Sequence, residues 1–337
     1  MRTLAVAALL CVLAAGCGSS KSSSKSSAGG GSGLKVGLVT DVGGLHDRGF
    51  NQLSYQGLQR AEQSLGVQGR VVLSKQNSDY VPNLSALAKQ HYGLVIAVGF
   101  LMTDAVAEVA PQYPKTKFAI IDVDATQLKG KPRNVEGLLF REQQGGYLIG
   151  YLAGLVTKHQ GGKQVVGVVG GLKIPPVDRF AGGYEAGAKA ADPGIKVIVD
   201  YSQDFVKQAK CKELALNHIA AGSQVEFADA GACGLGVHDA AKEKGIWSLG
   251  GDADQSYLGS EILSSELKRV DVAVYDLIRR AQHGGFKGGS NAYYSVGNGG
   301  VGLGKISPKV PKSIVDQVMA VKEKMAAGKI TNIPTAP

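Results

Sequence analysis

The 337-residue chain has a formal net charge of +9, from 37 Lys and Arg against 28 Asp and Glu, and 44% of its residues are hydrophobic. The basic residues are dispersed, without a dense run or interleaved aromatics, which argues against nucleic-acid binding and favours a mild attraction to anionic membrane or cell-wall polymers. The composition is that of a globular protein long enough for two domains.

The first 17 residues are predicted to be a lipoprotein signal peptide. The apolar stretch Leu4 to Ala15 is too short to span a bilayer, which needs about 20 residues. It runs into Leu13-Ala-Ala-Gly-Cys17, which resembles a bacterial lipoprotein signal, so Cys17 is expected to carry the lipid. Residues 18–33 are almost entirely Ser, Gly and Lys and are predicted to form a flexible tether. The alternative is a cleaved secretory signal followed by a disordered tail.

A lipid anchor places the folded part on the extracytoplasmic face of the cell membrane, where disulfides can form. Cys11 leaves with the signal and Cys17 takes lipid, which leaves Cys211 and Cys233. Cys211 lies early in a helical pattern and Cys233 follows an apolar run, and we expect these two points to lie at one edge of a sheet. A bridge between them is a hypothesis that competes with two free thiols. It would be worth roughly 3 kcal/mol by chain entropy.

The cysteines and histidines show no metal-ligand spacing, so neither a metal ion nor a cofactor is predicted. The six histidines are scattered along the chain. We expect His46 and His238 to be surface residues.

Apolar, β-branched runs alternate with helical patterns along the whole chain, which indicates an α/β protein with covered parallel sheets. The predicted strands are Lys35–Thr40, Arg70–Ser74, Leu94–Val98, Phe118–Asp122, Val135–Phe140, Val165–Val169, Lys196–Tyr201, Val225–Ala230, Ile246–Leu249 and Glu261–Ser265. The predicted helices are Asn51–Ser64, Asn83–Gln90, Met102–Ala110, Gln144–Lys158, Arg179–Ala191, Lys207–Ala221, Val237–Lys244 and a last amphipathic one within Ser307–Lys329.

These elements fall into two similar halves of about five strands each, which predicts two parallel-sheet lobes with a ligand cleft between them. The first lobe is expected to comprise residues 34–140 plus about 255–300. The second is expected to comprise residues 141–254 plus about 301–333. Ligands of open α/β sheets bind beyond the carboxyl ends of the strands, so the cleft is expected there.

The loop after the first predicted strand holds the most informative side chains. It offers a carboxylate, an aromatic ring and an amide at Asp41, Phe50 and Asn51. This chemistry suits a neutral, hydroxylated, flat ligand better than a phosphate. The glycines are not a phosphate cradle, because no Gly-x-x-x-x-Gly-Lys-Ser/Thr run is present.

From about Lys35 to Ile333 the chain resembles the basic membrane protein (BMP) family, which are nucleoside-binding lipoproteins of ABC importers with a type I periplasmic-binding-protein fold. Taken together in their order, the matching motifs are specific. They are Asp41-Val-Gly-Gly-Leu-His-Asp-Arg-Gly-Phe-Asn-Gln52, Val98-Gly-Phe100, Phe118-Ala-Ile-Ile-Asp122, Phe140-Arg-Glu-Gln-Gln-Gly-Gly-Tyr-Leu-Ile-Gly-Tyr151, Arg179-Phe-Ala-Gly-Gly-Tyr184, Ala230-Gly-Ala-Cys-Gly-Leu-Gly236, Gly250-Gly-Asp-Ala-Asp-Gln-Ser-Tyr-Leu258 and Ser264-Ser-Glu-Leu-Lys-Arg-Val-Asp271.

The resemblance implies a role for each matching residue. Phe50 would stack on a nucleobase, while Asn51 and Asp41 would hydrogen-bond base edges or the loop that holds them. Asp122 and Asp252 would accept hydrogen bonds from sugar hydroxyls.

Four further residues complete the implied site. Lys268 would contact the sugar and offset the clustered carboxylates. Phe180 and Gly231 would come from the second lobe, and Phe100 would help close the aromatic slot. The resemblance also implies a purine nucleoside ligand, ABC permease subunits as partners, a monomer, and no enzyme activity.

Simpler interpretations stand beside these roles. An Asp at a strand end is often a helix cap or turn former, which applies to Asp41, Asp122 and Asp252. Phe50 and Phe180 could instead be core residues, and Lys268 could be a solvated lysine near a helix start.

The chain departs from the family pattern at Ala232, Cys233 and Gly251, which belong to the predicted wall of the second lobe. Riboflavin or another flat heterocycle is an alternative ligand. A sensor or adhesin on the same fold is an alternative function, and an extracytoplasmic enzyme acting on nucleosides is disfavoured because no nucleophile arrangement is recognisable.

Overall fold

The structure is a computed structural model that describes residues 33–337. The predicted signal peptide, its Cys17 and all but the last residue of the predicted tether lie outside the described residues. Two six-stranded sheets with helices packed against them form the described part, which confirms the α/β prediction of two similar lobes. Within residues 33–337, no helix is long and apolar enough to cross a membrane.

The first sheet has the strand order β11-β5-β4-β3-β1-β2, and every neighbouring pair is parallel. Its strands are β1 (Lys35–Val39), β2 (Gln68–Val72), β3 (Leu94–Ala97), β4 (Lys117–Ile121), β5 (Val135–Phe140) and β11 (Ser290–Tyr294).

The second sheet has the order β12-β10-β9-β8-β6-β7 and is parallel except for the edge strand β12, which runs antiparallel to β10. Its strands are β6 (Val165–Gly170), β7 (Lys196–Tyr201), β8 (Ser223–Asp229), β9 (Trp247–Gly250), β10 (Ile262–Lys268) and β12 (Val301–Leu303).

The helices cover the faces of both sheets. They are α1 (Phe50–Leu65), α2 (Tyr80–Lys89), α3 (Thr103–Val109), α4 (Glu142–Gln160), α5 (Pro175–Ala191), α6 (Gln208–Ala221), α7 (Leu235–Lys244), α8 (Val270–Gln282) and α9 (Lys312–Ala326).

The central strand β3 is apolar on both faces, so both of its faces are buried. In β3, Leu94 and Ile96 enter one hydrophobic core while Val95 and Ala97 enter the other. Side chains alternate across a strand, so a continuous apolar run fills two cores at once. This arrangement leaves the carboxyl ends of the strands as the edge where polar groups gather.

The chain crosses between the lobes three times within the described residues, after β5, after β10 and between β11 and β12. The predicted return to the first lobe near residue 255 differs from the structure, because β10 pairs with β9 in the second sheet. The prediction also lacked α8, β11 and β12. Periodicity identifies a strand, but it does not say which sheet the strand hydrogen-bonds to.

Cys211 and Cys233 are joined by a disulfide, with their Cα atoms 5.6 Å apart. Both residues are fully buried. Cys211 lies in the first turn of α6, and Cys233 lies in the short turn that follows β8. The bridge therefore connects the start of a helix to the loop at the carboxyl end of the neighbouring strand.

Replacing both cysteines with alanine is expected to lower the free energy of unfolding by about 3 kcal/mol, since the closed loop of the unfolded chain is lost. Urea titration of the variant and the wild type would measure this difference, with reduced wild type as the control. Two free thiols in the unreduced, folded wild type would contradict the bridge.

Candidate functional site

A cavity lies between the carboxyl ends of the two sheets and is lined from both lobes. The structure brings all nine predicted ligand-binding residues to this one cavity. They are Asp41, Phe50, Asn51, Phe100, Asp122, Phe180, Gly231, Asp252 and Lys268. The cavity is also lined by residues that were not predicted from the sequence, among them Asp47, Phe205 and Asp229.

Asp47 organises the loop between β1 and α1. Its carboxylate accepts hydrogen bonds from the backbone N–H groups of Gly49, Asn51 and Gln52, at 3.1, 2.7 and 3.1 Å. These are unsatisfied donors at the start of α1, so Asp47 acts as its cap. An acidic residue four positions before the predicted helix start at Asn51 was the sequence signal for this role.

Asn51 and Asp41 are joined by two hydrogen bonds. The Asn51 Nδ2 donates to Asp41 Oδ1 at 2.7 Å, and the Asp41 N–H donates to Asn51 Oδ1 at 3.2 Å. The Gly43 N–H also donates to Asp41 Oδ1, at 2.8 Å. Asn51 therefore holds the loop, while Asp41 keeps Oδ2 for another partner. Burial raises the pKa of Asp41 to about 6, because it outweighs the hydrogen bond from Asn51, which lowers that pKa.

The apolar part of the wall includes four phenylalanine rings, which are Phe50, Phe100, Phe180 and Phe205. The Phe50 ring packs against Gly99, where a Cβ would be 3.1 Å from its Cε1, and Gly99 has a φ of +113°. Glycine is therefore required at this position for two reasons, the space beside the ring and the backbone conformation. Phe180 is buried and also packs edge-on against Phe227, so it is both a core and a wall residue.

Lys268, at the end of β10, is almost fully buried and lies where the two lobes meet. Its Nζ donates to Asp122 Oδ2 at 2.7 Å and pairs with Glu142 Oε1 at 3.1 Å. The Nζ is also 5.1 Å from the Phe50 ring centre and 5.5 Å from that of Phe180. Cation–π attraction adds to the ion pairs at such distances. Lys268 is thus a buried ion-pair residue and not a solvated lysine.

Glu142 and Arg179 form a second layer behind Lys268. Arg179 donates to both Glu142 oxygens, at 2.6 and 3.3 Å. Burial raises the pKa of Glu142, but Lys268 and Arg179 outweigh it and hold that pKa below its usual range. Burial likewise lowers the pKa of Lys268, but Asp122 and Glu142 outweigh it and raise that pKa. Both groups therefore stay charged.

Asp122 and Asp252 lie just after strands β4 and β9, with left-handed φ values of +68° and +62°. Such conformations are uncommon outside glycine and cluster at functional sites. Asp122 Oδ1 is buried without a hydrogen-bond partner in the described part of the chain. Burial raises the pKa of Asp122 to about 6 and that of Asp252 to about 7, while Lys268 lowers both.

A smaller polar cavity adjoins the site and is lined by His238 and Gln255, among others. The prediction that His238 is a surface residue is wrong, since its ring is buried and bonded to Ser248 Oγ and Gln255 Oε1. The helix pattern did not reveal which face of α7 packs on the sheet. Gln255 Nε2 in turn donates to the Arg48 carbonyl of the opposite lobe, at 3.4 Å.

The arrangement combines flat apolar walls with hydrogen-bond acceptors. Five carboxyl groups line the cavity against one lysine, and that lysine is already paired. An anionic ligand would meet like charge, whereas hydroxyl and N–H groups would find acceptors. Among residues 33–337 no group of three His, Cys, Asp or Glu side chains could hold a metal ion.

Comparison with known proteins gives the following matches. Residues 34–335 match the model of the Bmp family, described as ABC transporter substrate-binding protein PnrA-like. An ABC transporter nucleoside-binding protein from Lactococcus lactis is 33% identical over 88% of each chain. An uncharacterised lipoprotein from Pyrococcus horikoshii is 37% identical over 77% of this chain and 66% of its own.

Among solved structures, a solute-binding protein of an ABC transporter system from Aeropyrum pernix superposes with a TM-score of 0.79. It is 27% identical and covers 88% of this chain and 92% of its own.

Proposed function

Since the chain belongs to the Bmp family of PnrA-like ABC transporter substrate-binding proteins, we propose that its ligand is a purine nucleoside. The cavity between the lobes would hold the nucleoside, and the protein would present it to the permease of an ABC importer. No catalytic role is proposed, because proteins of this family are substrate-binding components.

One observation supports the choice of ligand. Phenylalanine rings and carboxyl oxygens without a hydrogen-bond partner line the same cavity in the described part of the chain. A nucleobase fits between the rings of Phe50 and Phe180, where stacking stabilises it. Sugar hydroxyls fit against Asp122 and Asp252, which accept charge-assisted hydrogen bonds. A nucleotide is disfavoured, because its phosphate would meet the clustered carboxylates.

Ligand capture is proposed to close the lobes about the segments that connect them. Backbone hydrogen bonds link these segments, from the Arg141 N–H to Tyr294 O and from the Arg269 N–H to Gly300 O. A ligand shifts such an equilibrium only by its preference for the closed state. Residues that contact both lobes, such as Lys268, supply that preference.

The localisation is a separate proposal. We infer a lipid on Cys17 and a position at the outer face of the cell membrane, where a monomer would reach its permease through the tether. The motif before Cys17 supports this, as does the relative named as a lipoprotein. Radiolabelled palmitate incorporation that is lost in Cys17→Ser would test it.

The ligand test is calorimetric titration of the detergent-solubilised protein with guanosine, inosine, adenosine, cytidine, riboflavin and ribose. Carried-over ligand is first removed by unfolding and refolding. We expect tight binding of a purine nucleoside. Phe50→Ala should weaken it about 5- to 150-fold through lost stacking, and Asp252→Ala about 10-fold or more through lost charged hydrogen bonds.

The matched control is Asp254→Ala, which removes an exposed carboxylate two residues from Asp252 and outside the cavity. It should bind like the wild type. A folded protein that binds none of the nucleosides would refute the proposed ligand, and preference for riboflavin would replace it with another flat heterocycle.

A further inference from the structure

Asp229, the last residue of β8, differs from most of its acidic neighbours in the cavity wall. The carboxylates of Asp41, Asp47 and Asp122 each accept at least one hydrogen bond. Within residues 33–337 the Asp229 carboxyl accepts none. The residue is only 9% exposed, and its Oδ2 is fully buried. It lines both the main cavity and the smaller one beside it.

The surroundings of Asp229 are acidic. Burial raises its pKa well above the usual range, Asp252 raises it further, and Lys268 lowers it in part. The charged and titratable groups around it on the packed elements and the cavity walls are Asp47, Glu142, Asp178, Tyr201, His238, Asp252, Glu266 and Lys268. Lys268 is already paired with Asp122 and Glu142. Burial and the neighbouring carboxylates favour the protonated, uncharged form of Asp229, and a protonated carboxyl group can donate a hydrogen bond.

A buried carboxyl group without a partner destabilises the folded protein, because it has lost its hydrogen bonds to water. Alanine or asparagine at this position would reduce that penalty. A residue that lowers stability and faces a binding cavity is typical of a functional site.

We propose that Asp229 is a specificity-determining residue that donates a hydrogen bond to an uncharged acceptor atom of the bound ligand. This inference rests on the proposed function and adds a chemical requirement to it. The ligand must present a ring nitrogen, a carbonyl oxygen or a hydroxyl oxygen at the end of β8. The other carboxylates of the cavity accept hydrogen bonds, so the site recognises both donor and acceptor groups of the ligand.

The test compares Asp229→Ala and Asp229→Asn with the wild type in the detergent-solubilised lipoprotein, with inosine as the probe. Asp229→Ala should weaken inosine binding about 3- to 10-fold, the effect of one lost hydrogen bond. Asp229→Asn should stay close to the wild type, because its amide also donates. Neither variant should melt below the wild type. Asp239→Asn, an exposed carboxyl on α7, is the matched control.

The pH dependence gives a second readout, measured from about pH 6 to about pH 9. Wild-type affinity should fall at the alkaline end, where Asp229 loses the proton it donates. The asparagine variant should lack that fall, while changes due to Asp252 and Asp41 stay common to both proteins.

Unchanged binding by Asp229→Ala would overturn the inference and leave the proposed function intact. Equal losses in the alanine and asparagine variants would also overturn it, since an ionised acceptor would then be required. Identical pH profiles of the wild type and Asp229→Asn would do the same. If the wild type binds no nucleoside, the proposed function fails and the inference fails with it.

Discussion

Lys268→Met is expected to lower the free energy of unfolding by about 3–5 kcal/mol, the effect of removing one partner from a buried ion pair. The change leaves Asp122 without a cation and leaves Glu142 with Arg179 alone. Nucleoside binding should be lost as well, because the lysine joins acceptors and aromatic rings from both lobes.

The loss of stability should depend on pH. Without Lys268, the pKa of Asp122 rises above about 6, its value beside the lysine. Stability that depends on a raised carboxyl pKa is present at low pH and is lost as the pH rises through that pKa. Urea titrations near pH 5 and pH 8 should therefore show the larger deficit at about pH 8.

Lys268→Arg is the matched control, since it keeps the charge but replaces the compact ammonium with a planar group. It should retain more stability than Lys268→Met and still weaken binding. Wild-type stability of Lys268→Met at both pH values would show that the buried pairs contribute nothing.

Gly150→Val is the second large effect, with an expected loss of about 3 kcal/mol or more from overpacking. Helices α4 and α5 approach through glycines, and a Cβ on Gly150 would overlap the backbone carbonyl of Tyr184. Backbone cannot rotate away as a side chain can. The helices would have to separate, which would also move Phe180 on α5 and weaken ligand binding.

Thermal and urea unfolding followed by circular dichroism would measure this loss. The matched control is Gly302→Ala in β12, where a Cβ meets no atom within 4 Å. The control should unfold like the wild type. If Gly150→Val did so too, the close contact of α4 and α5 would not be required for stability.

Much of the site follows from local sequence patterns. Asp41, Phe50 and Asn51 lie within one motif, and the strand before them was recognisable as a continuous apolar run. The ends of parallel strands meet at one edge, so polar residues after successive strands could be expected to gather. The roles implied for these residues in nucleoside binding stay predictions.

Other parts of the site depend on distant contacts. Lys268 and Asp122 are 146 residues apart in the chain, and no spacing rule connects them. The same holds for Glu142 and Arg179, which lie in ordinary helical patterns. Asp229 carries no signal in the sequence, because its distinguishing property is that its buried carboxyl lacks a hydrogen-bond partner within the part of the chain that the structure describes.

Hydrophobic periodicity and turn residues were enough to identify most strands and helices, the two-lobe class and the loop that contributes most to the cavity. These features are local, since the order of apolar and polar residues within a segment indicates which of its faces is buried. The tertiary structure alone decided that β10 belongs to the second sheet, that Lys268 is buried and not solvated, and that the Asp229 carboxyl has no hydrogen-bond partner among residues 33–337. Strand pairing, desolvation and charge coupling depend on which distant segments meet, and burial makes each of them strong.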